Sequence, residues 1–128
     1  MRLASLTVLA ALAVTVLVAA AQAEYPALYR DQKLPELPGA TIVSSGRQVT
    51  SLRDGLKIEL QSAQGVQDIL AFFREKMAPL GWKEISPRLP FKSVTAGTVR
   101  FQKDALTFDV GVTHFGGKSK VMLNLLQQ

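Results

Sequence analysis

The sequence holds one histidine, His114, placed five residues after Asp109 and five before Ser119. A carboxylate, an imidazole and a hydroxyl are the groups of a nucleophilic triad: the first orients the ring, and the ring takes the proton of the third. This admits a small hydrolase or lyase centred on His114 with Asp109. Ser119 lies in no strand–turn–helix elbow, however, and Gly116-Gly117 between it and His114 marks a turn. His114 to Lys118 therefore reads equally well as a surface loop. Acid–base work by carboxylates needs two of them in contrasting environments. Glu59 and Asp109 fall at wet strand positions, where Lys57 and Arg100 are natural partners, and Asp104 falls in a turn. Gly116-Gly117-Lys118-Ser119 ends like a phosphate loop, but Val112 stands where the leading glycine belongs. The alternating run Val121 to Leu125 follows it where a helix is required.

The absence of cysteine excludes a disulfide framework, a thiolate metal site, a cysteine nucleophile and a lipid-modified cysteine anchor. A lone histidine falls short of the donor set of a structural zinc site. No catalytic, cofactor-binding or metal-ligating residue is assigned, and no cofactor is implied. What remains is a surface. Fifteen basic residues oppose ten acidic ones, net +5, and they are spread along the chain. Nucleic-acid proteins gather such charge on one face and interleave it with aromatics, whereas the phenylalanines here fall mostly at expected core positions. A positive field of this size suits anionic lipid headgroups or acidic envelope polymers. The candidate ligand or partner surface is Phe72, at the margin of a helix, with His114 and the loop cations Arg88, Lys92, Lys118 and Lys120.

The elements that must position these residues begin after a leader. Arg2, an apolar run from Leu6 to Ala21 and the small-x-small triplet Ala21-Gln22-Ala23 match a secretory signal peptide cleaved before Glu24. The alternative is a retained anchor. The apolar run from Leu6 to Ala21 is shorter than the roughly 20 residues a spanning helix needs, and no basic cluster follows it. Residues 24–38 carry Pro26, Pro35 and Pro38 and read as an extended arm, which Leu34, Leu37 and two tyrosines could pin to the domain. Residues 39–128 form a single domain. An uneven β-rich run over 41–52 meets an Asp54-Gly55 turn, and Leu56, Ile58 and Leu60 alternate beyond it.

Val66, Ile69, Leu70, Phe73, Met77 and Leu80 make one apolar stripe at the helical period. Ser62 is a candidate N-cap, Pro79 ends or bends the last turn, and Gly81 caps it. A short strand at 82–85 follows, then a loop between Pro87 and Pro90. Val99 and Phe101 alternate, Lys103-Asp104 supplies a turn, and Leu106, Phe108, Val110 and Val112 alternate again. Val121, Leu123 and Leu125 form the last inward face. The order is β-β-α-β-β-β-β, an α+β two-layer sandwich with one amphipathic helix packed on an antiparallel sheet.

Leu37-Pro38-Gly39-Ala40, the pair Phe72-Phe73 and Leu80-Gly81-Trp82-Lys83 resemble the pattern of a small domain in uncharacterised bacterial exported proteins and lipoproteins. The resemblance covers roughly residues 37–126. Phe73 stands where that pattern has tyrosine, and the lipoprotein cysteine is missing. The layout is also similar to helix-grip domains, including those of an accessory lipoprotein of the outer-membrane barrel assembly machinery. Neither resemblance carries a catalytic motif, and a shared layout does not carry function. The expectation is an exported protein, periplasmic or secreted and soluble, with no stable membrane span after cleavage. It acts as a non-catalytic binding or adaptor module of the cell envelope, for a protein partner or a small amphiphile. The small hydrolase or lyase and a weak binder of anionic lipid surfaces are the alternatives.

Overall fold

The computed structural model describes residues 24–49, 54–86 and 93–127. Residues 1–23, 50–53, 87–92 and 128 lie outside the described residues, and with them the expected leader, part of the expected first turn, and Arg88 and Lys92. Helix α1 spans Ala27–Asp31, strand β1 Thr41–Val49, β2 Asp54–Ser62 and helix α2 Val66–Met77. A 3-10 turn, Ala78–Leu80, leads to β3 Lys83–Glu84, β4 Ala96–Lys103, β5 Leu106–Phe115 and β6 Lys118–Gln127. The six strands form one antiparallel sheet in the order β1-β2-β6-β5-β4-β3. The α+β class holds, with the sheet dominant and α1 as an element additional to the expected order.

The expected helical stripe is the buried side of α2: Val66, Ile69, Leu70, Phe73 and Met77 have almost no exposure. They meet the inward residues of β2, β4, β5 and β6, among them Ile58, Phe101, Phe108, Val110 and Leu123. Gly81 ends the helical segment with φ +89°, and the backbone N–H of Trp82 returns to the Met77 carbonyl at 3.3 Å. Such a left-handed residue satisfies carbonyls that the helix leaves without partners. The start differs from expectation. Gly65 is the N-cap residue, and the Ser62 hydroxyl instead accepts the Gln64 N–H at 3.1 Å in a turn just before the helix.

The segment 24–38 is not an extended arm. Pro26 sits at the start of α1, where a missing N–H costs nothing because the first N–H groups of a helix have no partner. Tyr29 then enters the core with 0% exposure, beside Leu34 and Leu37, and its hydroxyl donates to the Pro35 carbonyl. Burial is the main cause that raises the Tyr29 phenol above its ordinary pKa. The folded unit therefore starts well before Gly39.

Gly55 is also corrected. It belongs to β2 rather than to a turn, and its φ is not positive. A Cβ there would stand 2.5 Å from the Leu125 carbonyl oxygen and 2.6 Å from a Leu126 methyl, so glycine permits a close approach of β2 to β6. Gly55→Ala is expected to cost about 1–3 kcal/mol by overpacking a backbone that has little room to yield. Urea denaturation with an unchanged midpoint would contradict it.

The hairpin β4–β5 turns at Asp104-Ala105, one residue later than expected, with Lys103 opposite Leu106 and Asp104 at φ +53°. The hairpin β5–β6 turns at Gly116-Gly117, both at positive φ, with Phe115 opposite Lys118. Two successive positive φ values match the right-handed twist of the flanking strands. His114 is accordingly a strand residue.

Candidate functional site

Alternation divides β5 between two environments. Leu106, Phe108, Val110, Val112 and His114 point toward the helices, while Thr107, Asp109, Gly111, Thr113 and Phe115 point to the other face. Asp109 and His114 are an odd number of residues apart and so lie on opposite faces. The expected pairing of His114 with Asp109 is not formed. Asp109 accepts two hydrogen bonds from Arg100, its cross-strand neighbour, from Nε at 2.7 Å and from Nη2 at 3.0 Å. Those bonds, with the Asp109 charge, raise the Arg100 guanidinium above its ordinary pKa.

His114 does meet Ser119, with Nδ1 2.7 Å from the hydroxyl. The one hydroxyl proton of Ser119 goes to the Gln64 carbonyl at 2.6 Å, so His114 is the donor to Ser119. A nucleophile must instead give its proton to the base. Ser119 is also buried, at 1% exposure, away from any substrate. The chain His114–Ser119–Gln64 thus ties the β5–β6 hairpin to the loop entering α2. Among the described residues no three His, Cys, Asp or Glu side chains gather to hold a metal ion.

The outer face of the sheet presents a different chemistry. On β2, β4, β5 and β6 it carries Lys57, Arg100, Lys118 and Lys120 against Glu59 and Asp109. Both carboxylates are engaged, Asp109 by Arg100 and Glu59 by Lys120 at 3.5 Å. Four cations thus face two anions, and each anion is already paired. Exposed pairs of this kind add only about 0–1 kcal/mol each to stability. Their consequence is a face of net positive charge.

Two depressions mark this face. One, of about 490 Å³, has Val43 and Phe115 at its sides and Glu59, Gln61, Thr113, Lys118 and Lys120 among its lining. The other, of about 430 Å³, lies over Arg100, Asp109, Gly111, Met122 and Asn124, with Ile85 at its rim. A third groove, of about 450 Å³ on the helix side, runs between α1 and the sheet, lined by Leu28, Leu56, Leu106 and Leu125 with Arg47. Phe115 is 88% exposed and Val43 53% exposed, and both border the same depression as Lys118 and Lys120.

Of the candidate surface residues, Lys118 and Lys120 share the outer face, and His114 is on the other. Phe72 is half-buried against the core edge with its ring 5.2 Å from Phe73 and nearly perpendicular to it, and it lines none of these three grooves. Arg88 and Lys92 fall outside the described residues. Phe115 and Val43 were not among the candidates. The even or odd position of 115 relative to the buried Phe108 is the signal that could have placed Phe115 on the wet face. The chain matches no protein-family model, no curated protein and no solved structure.

Proposed function

We propose that this is an exported, non-catalytic binding module of the cell envelope that takes an anionic partner on the outer face of its sheet. The observation that carries the reading is that face itself. It has four cations against two already-paired carboxylates, and Val43 and Phe115 are exposed beside Lys118 and Lys120. Sites that bind ligands combine apolar walls with a few fixed polar groups, and uneven charge draws a partner of opposite sign. The leader pattern at residues 1–23 supports export, and among the described residues no helix is long and apolar enough to cross a membrane. The small hydrolase or lyase loses its support, because Asp109 is tied to Arg100 and the Ser119 proton to Gln64.

The test is a map of amide shifts in the 15N-labelled protein as envelope fractions of its host are added: lipid, acidic polymer and soluble protein in turn. Shifts are expected at Lys57, Thr113, Lys120 and Met122, with Asp68 and Glu75 on α2 unmoved. Shifts confined to α2, or none with any fraction, would remove the proposal.

A further inference from the structure

The end of the sheet at the β5–β6 turn differs from the rest of the surface. Phe115 is 88% exposed and Val94 78% exposed, the two highest values among the exposed large apolar side chains of the described residues. They lie at the same end, because the His114 N–H bonds the Thr95 carbonyl at 2.8 Å and sets the segment before β4 beside the end of β5. Lys118 is exposed directly opposite Phe115, with no ion-pair partner among the described residues. Between them the Gly116-Gly117 turn stands clear: a Cβ on either glycine would meet nothing within 4 Å.

We infer that this tip docks the protein on an anionic lipid surface, with Phe115 and Val94 entering the headgroup–acyl boundary and Lys118 engaging phosphate. The inference rests on the reading of the outer face as the binding surface and names its occupant. Shape decides between lipid and an acidic peptide. A peptide ligand would be held within the depression that Phe115 and Lys118 border. The Gly116-Gly117 turn beside them instead has open space around it and leaves the exposed Phe115 and Val94 outside any enclosure formed by described residues at the tip itself. A bilayer interface accepts the opposite form, a protruding apolar side chain beside a lysine whose stem follows it down and whose charge stays at the headgroups. Charge on the outer face has the matching sign, since its two carboxylates are already held by Arg100 and Lys120. Attraction of this kind is short-ranged and adds to apolar insertion, so both parts are needed for stable docking.

The experiment uses the protein as recovered from the envelope of its host, its first residue established by mass. Co-sedimentation is measured with vesicles of phosphatidylcholine alone and of phosphatidylcholine with phosphatidylglycerol. Binding is expected only to the anionic vesicles, and it should fall sharply in about 1 M salt, where the Debye length is roughly 3 Å. Phe115→Ser and Lys118→Glu should each weaken it about tenfold. Neither side chain is buried, so their melting curves should match the parent. Phe115→Trp supplies a direct readout. The only native tryptophan, Trp82, is buried, so a blue shift on vesicle addition reports residue 115.

Vesicle binding that both weakening variants retain, or that neutral vesicles match, overturns the inference. So does an absence of vesicle binding. If a polyglutamate peptide then shifts the same outer-face amides, the partner is an acidic protein and the binding-surface reading stands. If neither it nor the acidic-polymer and soluble-protein fractions shift them, that reading falls too.

Discussion

Phe108→Ala is expected to lower the stability of the domain by about 3–5 kcal/mol, the range for emptying an aromatic site in a packed core. Phe108 has no exposure and sits in β5, a central strand with β6 on one side and β4 on the other. Its ring is the meeting point of three others: Tyr29 and Phe73 at 6.0 Å and Trp82 at 6.2 Å. Each comes from a different element, α1, α2 and the segment after the 3-10 turn, so one side chain joins all of them to the sheet. Backbone hydrogen bonds fix both neighbouring strands, which limits collapse into the space left. A domain of this size has only about 5–15 kcal/mol in total, so the variant should unfold at markedly lower urea. Phe72→Ala is the control. Its ring is half-buried at the edge, and the loss should be about 1 kcal/mol. Equal midpoints for the two variants would mean that Phe108 is not the hub described.

How far the sequence foretells this structure depends on the range of the interaction that decides each element. The stripe from Val66 to Met77 and the alternation from Leu106 to Val112 are local periodicities, and both appear as expected. The pairing of β2 with β6 joins residues on opposite sides of α2 and three other strands, and no local pattern encodes it. The cross-strand pair Arg100–Asp109 shows how sharply register matters. A turn at Lys103-Asp104 would set Arg100 opposite Thr107, whereas the actual turn at Asp104-Ala105 sets it opposite Asp109. One residue of turn placement therefore decides whether a carboxylate is free for chemistry or held in an ion pair. The case of His114 is similar. Gly116-Gly117 suggested a loop broad enough to contain it, but a two-residue turn leaves it in β5 and fixes its face. The separation of His114 from Asp109 was therefore available from counting alone, once the strand was known to continue.

Removing residues 24–38 is expected to unfold the domain under ordinary conditions. The loss takes Tyr29, Leu34 and Leu37 out of the core, each nearly or wholly buried, together with the stacked Tyr25 ring 4.7 Å from Tyr29. Burial of a large apolar side chain contributes about 1.5–3 kcal/mol, so three of them amount to roughly 5–9 kcal/mol, comparable with the whole stability of a small domain. Circular dichroism and urea midpoints of the truncated chain read the effect directly. Tyr29→Phe separates its two parts: it keeps the ring, loses only the hydrogen bond to Pro35, and should cost about 1 kcal/mol. A truncated chain with an unchanged midpoint would show that the segment lies on the core without contributing to it. The expected result also bears on where a partner can bind. A segment whose tyrosine closes the aromatic cluster around Phe108 cannot leave that cluster to capture something else without exposing Phe73 and Phe108. A detachable strap would need few buried contacts, as locally opening segments do. The core side of α1 is committed to stability in this way, which agrees with the proposal that recognition falls on the face that neither helix covers.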